Sequence, residues 1–149
     1  MPNALHRPLA LTLVALLCAA AACVNIGKKE WPKPVKSEDR FSFDRVAAAR
    51  RAECLTVDLL VGGKFANLAS VTVLLQAVGE ADGCAACPFV PTRHVPLAPG
   101  DPGFERSGPS LRVTVCGLDP AKAYRFTVIG QNVFRALGQV ESEVRTAEP

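Results

Sequence analysis

Histidine, tryptophan, tyrosine and methionine are nearly missing from this 149-residue chain, which carries two, one, one and one of them. His6 lies at the very start, so His94 is the one imidazole left for acid–base or metal chemistry, in a Pro-rich stretch spanning residues 88–103. No phosphate-cradling glycine loop, dinucleotide fingerprint or Ser-His-Asp cue accompanies it. The chain therefore reads as a non-enzyme with no cofactor and no resident metal. Charge of one sign is equally short: 17 basic residues against 14 acidic give +3, too mild an excess to argue for nucleic acid. Long apolar runs are absent as well. The longest, Leu9 to Val24, falls short of the roughly 20 residues a helix needs to span a bilayer.

That run has the layout of an export signal: Arg7 before it, a short apolar middle, and small residues at its end. Ala20-Ala21-Ala22-Cys23 resembles the lipobox of bacterial lipoproteins, with Ala20 in place of the common leucine. The resemblance implies that residues 1–22 are removed and that Cys23 becomes an acylated N-terminus, held in the membrane by two or more chains. Cys18 is the competing position, but Leu16 and Leu17 before it are bulky. An ordinary signal peptide cut at an A-x-A site, or a retained transmembrane anchor, are the other readings. Val24 at the next position is not the aspartate of inner-membrane retention, so the expected address is the outer membrane, facing the periplasm.

Residues 23–40 follow as a tether rich in proline and charge, with Lys28, Lys29, Lys33 and Lys36 against Glu30. Such a cluster could touch anionic headgroups or simply be solvated. Gly27 to Pro34 loosely resembles a G-x-K-G-P-x-x-P stretch of small envelope lipoproteins, one family of which assists lipopolysaccharide export. Glu30 and Trp31 depart from that pattern.

From residue 41 the apolar period becomes two. Phe41, Phe43 and Val46 open an edge strand; Leu55, Val57, Leu59 and Val61 alternate with Thr56, Asp58 and Leu60, and Val71, Val73, Leu75 and Ala77 form the next strand. Leu111, Val113 and Val115, then Tyr124, Phe126 and Val128, repeat the pattern, and Val140 and Val144 mark a last short strand. Half-buried antiparallel strands look like this. Ala-rich Arg45–Glu53 is the one helical-looking patch. About seven short strands separated by turn residues give an all-β sandwich over residues 41–149.

Residues 111–146 resemble the fibronectin type III module, through Leu118-x-Pro120-x-x-x-Tyr124, the following alternation, Asn132, Gly138 and Ser142. The resemblance implies an immunoglobulin-like sandwich with a tyrosine corner, in which Leu118 plugs one end and the Tyr124 hydroxyl bonds backbone upstream. It also makes the second and fifth strands antiparallel neighbours. Leu55, Val57, Val113 and Val115 then point inward, leaving Cys54 and Cys116 side by side on the outer face, where a disulfide can close. The family's buried tryptophan is missing from the second strand, and Leu59 or a neighbouring aliphatic would fill that volume.

Export places the remaining cysteines in an oxidising compartment. Cys84 and Cys87 form a C-x-x-C with Pro88 after it. A haem site would need histidine there, a thioredoxin-type pair would need to open a helix, and zinc would need two more ligands. A small loop disulfide is the plainer reading, with a periplasmic thiol-redox or metal-handling role as the alternative. The long segment Gly79 to Pro109, carrying Phe89, His94 and Phe104, is expected either to recognise a partner or to cover a sheet edge. Phe134 and Arg135 form a second candidate contact, in the tip of residues 132–138. The functional expectation is a lipid-anchored envelope protein whose domain binds another envelope protein without chemistry of its own; its small-molecule ligands, if any, are left unidentified.

Overall fold

The computed structural model describes residues 35–79, 83 and 86–149. The expected signal segment 1–22, the expected acylation site Cys23, the expected tether up to residue 34 and Cys84 lie outside the described residues.

Among the described residues, nine strands form two antiparallel sheets. The first contains β1 (Phe41–Arg51), β2 (Cys54–Gly63), β6 (Ser110–Val115) and β5 (Phe104–Ser107), in the order β1-β2-β6-β5. The second contains β4 (Arg93–Leu97), β3 (Leu68–Ala77), β7 (Tyr124–Asn132) and β8 (Gln139–Glu141), in the order β4-β3-β7-β8, with β9 (Arg145–Ala147) also on β7. The alternating aliphatics make the core. Leu55, Val57, Leu59 and Val61 of β2 and Leu111, Val113 and Val115 of β6 face Val71, Val73 and Leu75 of β3 and Phe126 and Val128 of β7, all buried. Burying such side chains contributes about 1.5–3 kcal/mol each, which is why the period-two pattern fixes the fold class. Leu59 joins this core at 3% exposure.

Three sequence expectations change. Arg45–Glu53 is not helical: β1 runs through Arg51 and pairs with β2 from Phe41↔Gly63 to Arg51↔Cys54. Ala47–Ala49 are exposed on this edge strand, so alanine there reflects a solvent-facing position and not helix propensity. A bulge between Phe43 and Arg45 shifts the register, and so Phe41, Phe43 and Val46 point inward at spacings of two and then three. The segment Gly79–Pro109 is not one loop, because it contributes β4 and β5. His94 lies on β4 opposite Leu74, and Phe104 lies on β5 opposite Val113. Pro96 of β4 signals loop in the sequence, yet β4 is an edge strand, where a missing N–H is tolerated. The last strand is two: Ser142 breaks it, its hydroxyl accepting from the Val128 amide at 3.0 Å, so β8 and β9 pair β7 on either side of the break. Val144 is exposed.

Candidate functional site

The two ends of the sandwich differ in kind. One is the disulfide end. Leu55↔Val115 is the last ladder pair of β2 and β6, and the next position joins Cys54 to Cys116 through a disulfide with Cα atoms 4.0 Å apart. Beside it Leu118 is buried, and the Asp119 amide donates to the Tyr124 hydroxyl at 3.1 Å. Pro120 is exposed in the turn that Asp119 closes: the Ala121 amide donates to its carboxylate at 2.9 Å and the Lys122 amide to its carbonyl at 3.2 Å.

Two arginines complete this end, and neither was visible in the sequence pattern. Arg50 lies 5.1 Å from the Tyr124 ring centroid and donates to the carbonyls of Ala52 and Asp119, each at 3.1 Å, and of Lys122 at 3.3 Å. It pins the β1–β2 turn, where Ala52 sits at φ 50, to the tyrosine corner. Arg93 reaches from β4 of the second sheet to the carbonyls of Gly117 and Cys116 at 2.9 and 3.0 Å. The only advance signal was a charged residue beside the strand end.

Cys87 and the residues after it are drawn against the second sheet. Cys87 is disulfide-bonded. Its carbonyl accepts from Arg125 at 2.6 Å, and the same guanidinium lies 5.6 Å from the Phe89 ring centroid. Buried Gln76 accepts from the Val90 amide at 3.2 Å and from Arg125 at 3.4 Å. Gly79 and Gly83 bridge each other, and a Cβ on Gly83 would stand 2.6 Å from the Gln76 amide nitrogen. Phe89 is therefore half-buried in packing and Phe104 packs against the core, while His94 stays exposed. These three do not meet in one site. Among the described residues no group of three or more His, Cys, Asp or Glu could hold a metal ion.

The outer face of the first sheet carries a polar row across three strands. Asp58 of β2 opposes Arg112 of β6, which opposes Glu105 of β5, and Arg112 meets Asp58 at 2.7 Å. The Asp58 hydrogen bond, then its charge, hold the Arg112 guanidinium above its ordinary pKa, with Glu105 adding to the effect. The next row, Leu60 beside Ser110 and Arg45, continues a shallow groove, in which Leu60 is an exposed apolar contact.

The other end is where residues 35–40 arrive, and it is stitched by backbone. The Asp39 carbonyl accepts from the Asn67 side chain at 2.8 Å and from buried Asn132 at 3.2 Å, and the Lys64 amide donates to the Arg40 carbonyl at 2.9 Å. The Val133 amide donates to the Asn67 carbonyl at 2.8 Å. Phe134 and Arg135 stand on this end, exposed, where a 3-10 turn at Arg135–Leu137 caps the β7–β8 connection. Gly130 of β7 makes room below, since a Cβ there would come within 2.8 Å of the Phe41 and Phe43 rings.

No family model matches the chain, and no curated protein matches it. Among solved structures it is similar to the crystal structure of chicken CNTN1 FN1-FN3 domains, at 12% identity and a TM-score of 0.46. That similarity covers 78% of this chain and 32% of the other, so the chain spans less than half of that protein's length. The fold stands on its own strand pairing.

Proposed function

We propose that the chain is a lipid-anchored protein of a bacterial outer membrane, facing the periplasm, whose β-sandwich is a non-catalytic module that binds another envelope protein. The disulfide between Cys54 and Cys116 carries the reading. Disulfides persist in exported proteins and are rare where thiols are kept reduced, and Ala20–Cys23 resembles the signal that attaches a lipid. The groove over Asp58, Leu60 and Arg112 supports the interaction role: it offers an apolar contact flanked by fixed charges on a rigid sheet. Fibronectin type III-like sandwiches in general hold and present surfaces and do no chemistry, and the strand order here is of that kind.

Intact mass and peptide mapping of the membrane-extracted protein, without reductant, test the proposal. The expected result is a chain starting at acylated Cys23 with Cys54 linked to Cys116. An unmodified Cys23 would remove the membrane from the account. Free thiols or bound metal at Cys84 and Cys87 would put the thiol-redox or metal-handling role in place of the interaction module.

A further inference from the structure

The end of the sandwich that receives residues 35–40 gathers apolar and basic side chains that the core does not use. Val35, Phe65, Val133 and Phe134 are exposed by 38%, 37%, 52% and 39%. They come from the entering chain, the β2–β3 turn and the β7–β8 connection, which the Asp39, Arg40 and Asn67 carbonyls tie together. Lys64 and Arg135 flank them, and neither forms an ion pair among the described residues. The acids at this end are engaged: Glu38 pairs with Lys36 at 3.2 Å, and the Asp39 carboxylate accepts from the Lys36 amide at 3.0 Å.

From this juxtaposition we infer that the entry end docks on a bilayer with anionic headgroups, placing Phe65, Val133 and Phe134 at the acyl boundary and Lys64 and Arg135 among the phosphates. An amphipathic surface rich in Lys and Arg beside aromatic and aliphatic tips is what the interface of an anionic membrane takes up. Arg135 also lines a shallow recess with Ser70, Gln131 and Gln139, whose hydroxyl and amide groups suit a phosphodiester. Arg106 holds the Phe65 turn in place: its guanidinium donates to the Phe65 and Leu68 carbonyls and lies 5.8 Å from the Phe65 ring centroid. The orientation rests on the lipid anchor proposed at Cys23. From there to Val35 the chain can span at most about 40 Å, and it enters the domain at this end, so anchoring keeps this end nearer the bilayer than the disulfide end on average.

Hydrogen exchange of the mature protein tests this, on vesicles of phosphatidylcholine alone and of phosphatidylcholine with phosphatidylglycerol, alongside the mass of Cys23. Protection of residues 64–67 and 133–137 that appears only with phosphatidylglycerol is the expected result. Lys64→Gln with Arg135→Gln should lower the docking equilibrium about 25-fold, at about fivefold per cation. Phe65→Ser with Phe134→Ser should abolish the protection while leaving exchange in β3 and β7 unchanged. An acylated Cys23 with no protection of these loops would overturn the docking and leave the anchor standing. An unacylated Cys23 with protection on phosphatidylglycerol vesicles would do the reverse. Equal protection on both vesicles would overturn the assignment to anionic lipid, and protection only in the presence of a co-purifying protein would overturn it in favour of a protein partner.

Discussion

The disulfide end and the entry end of this sandwich both use side chains to hold backbone carbonyls, yet they present different surfaces. At the first, side chains bind backbone carbonyls: Arg50 spans three of them, Arg93 two, the Tyr124 hydroxyl takes the Asp119 amide, and a covalent bond joins β2 to β6. At the second, two buried or half-buried asparagines hold the entering chain while phenylalanines and valines face water. Polar groups satisfied internally leave a surface with nothing to offer a partner, whereas apolar side chains left outside cost hydration free energy until something covers them. One end is therefore closed by bonds within the chain, and the other leaves apolar side chains open to water.

The largest expected effect comes from breaking the first. With a sequence separation of 62 between the cysteines, Cys54→Ala with Cys116→Ala should lower stability by about 4 kcal/mol in the chain-entropy account, read as a shift in the urea midpoint. A midpoint within error of the parent would mean that the side-chain clamps alone hold this end. Next, Tyr124→Phe keeps the ring under Arg50 and removes only the hydroxyl, so about 1 kcal/mol should be lost with an unchanged denaturant slope. The smallest effect belongs to the entry end. Phe134→Ser should move the midpoint by less than about 0.5 kcal/mol, and a larger loss would show that this end, too, is structural.

The sequence was readable where burial alternates. β2 shows it: every second residue from Leu55 to Val61 is buried, and the apolar letters have the same period. That parity also placed Cys54 and Cys116 on one face once the neighbouring strands were known. β1 is legible at Phe41, Phe43 and Val46, but its second half does not read as strand, because the bulge at Asp44 breaks the period and Ala47–Ala49 carry no inside–outside contrast. β4 and β5 were hidden by their shortness and by Pro96, since an edge strand pairs on one side only and tolerates residues that a central strand would reject. The clamps of Arg50, Arg93 and Arg125 had no local signature. Apart from Ala52, their targets lie 23 or more residues away, mostly on carbonyls that any residue could supply, so nothing in the spacing announced them.

The position of the disulfide also decides how the domain responds to load. A pull between Val35 and β9, which pairs Tyr124 at the disulfide end, runs along β1 and loads its pairs with β2 in shear. Once β1 gives way, extension stops at Cys54. The segment between the two cysteines, about 200 Å of chain if drawn out at 3.3–3.6 Å per residue, is shunted by the covalent bond and never bears tension. The bond thus acts as a mechanical fuse, setting how far the domain can lengthen before force passes directly from β1 to β7.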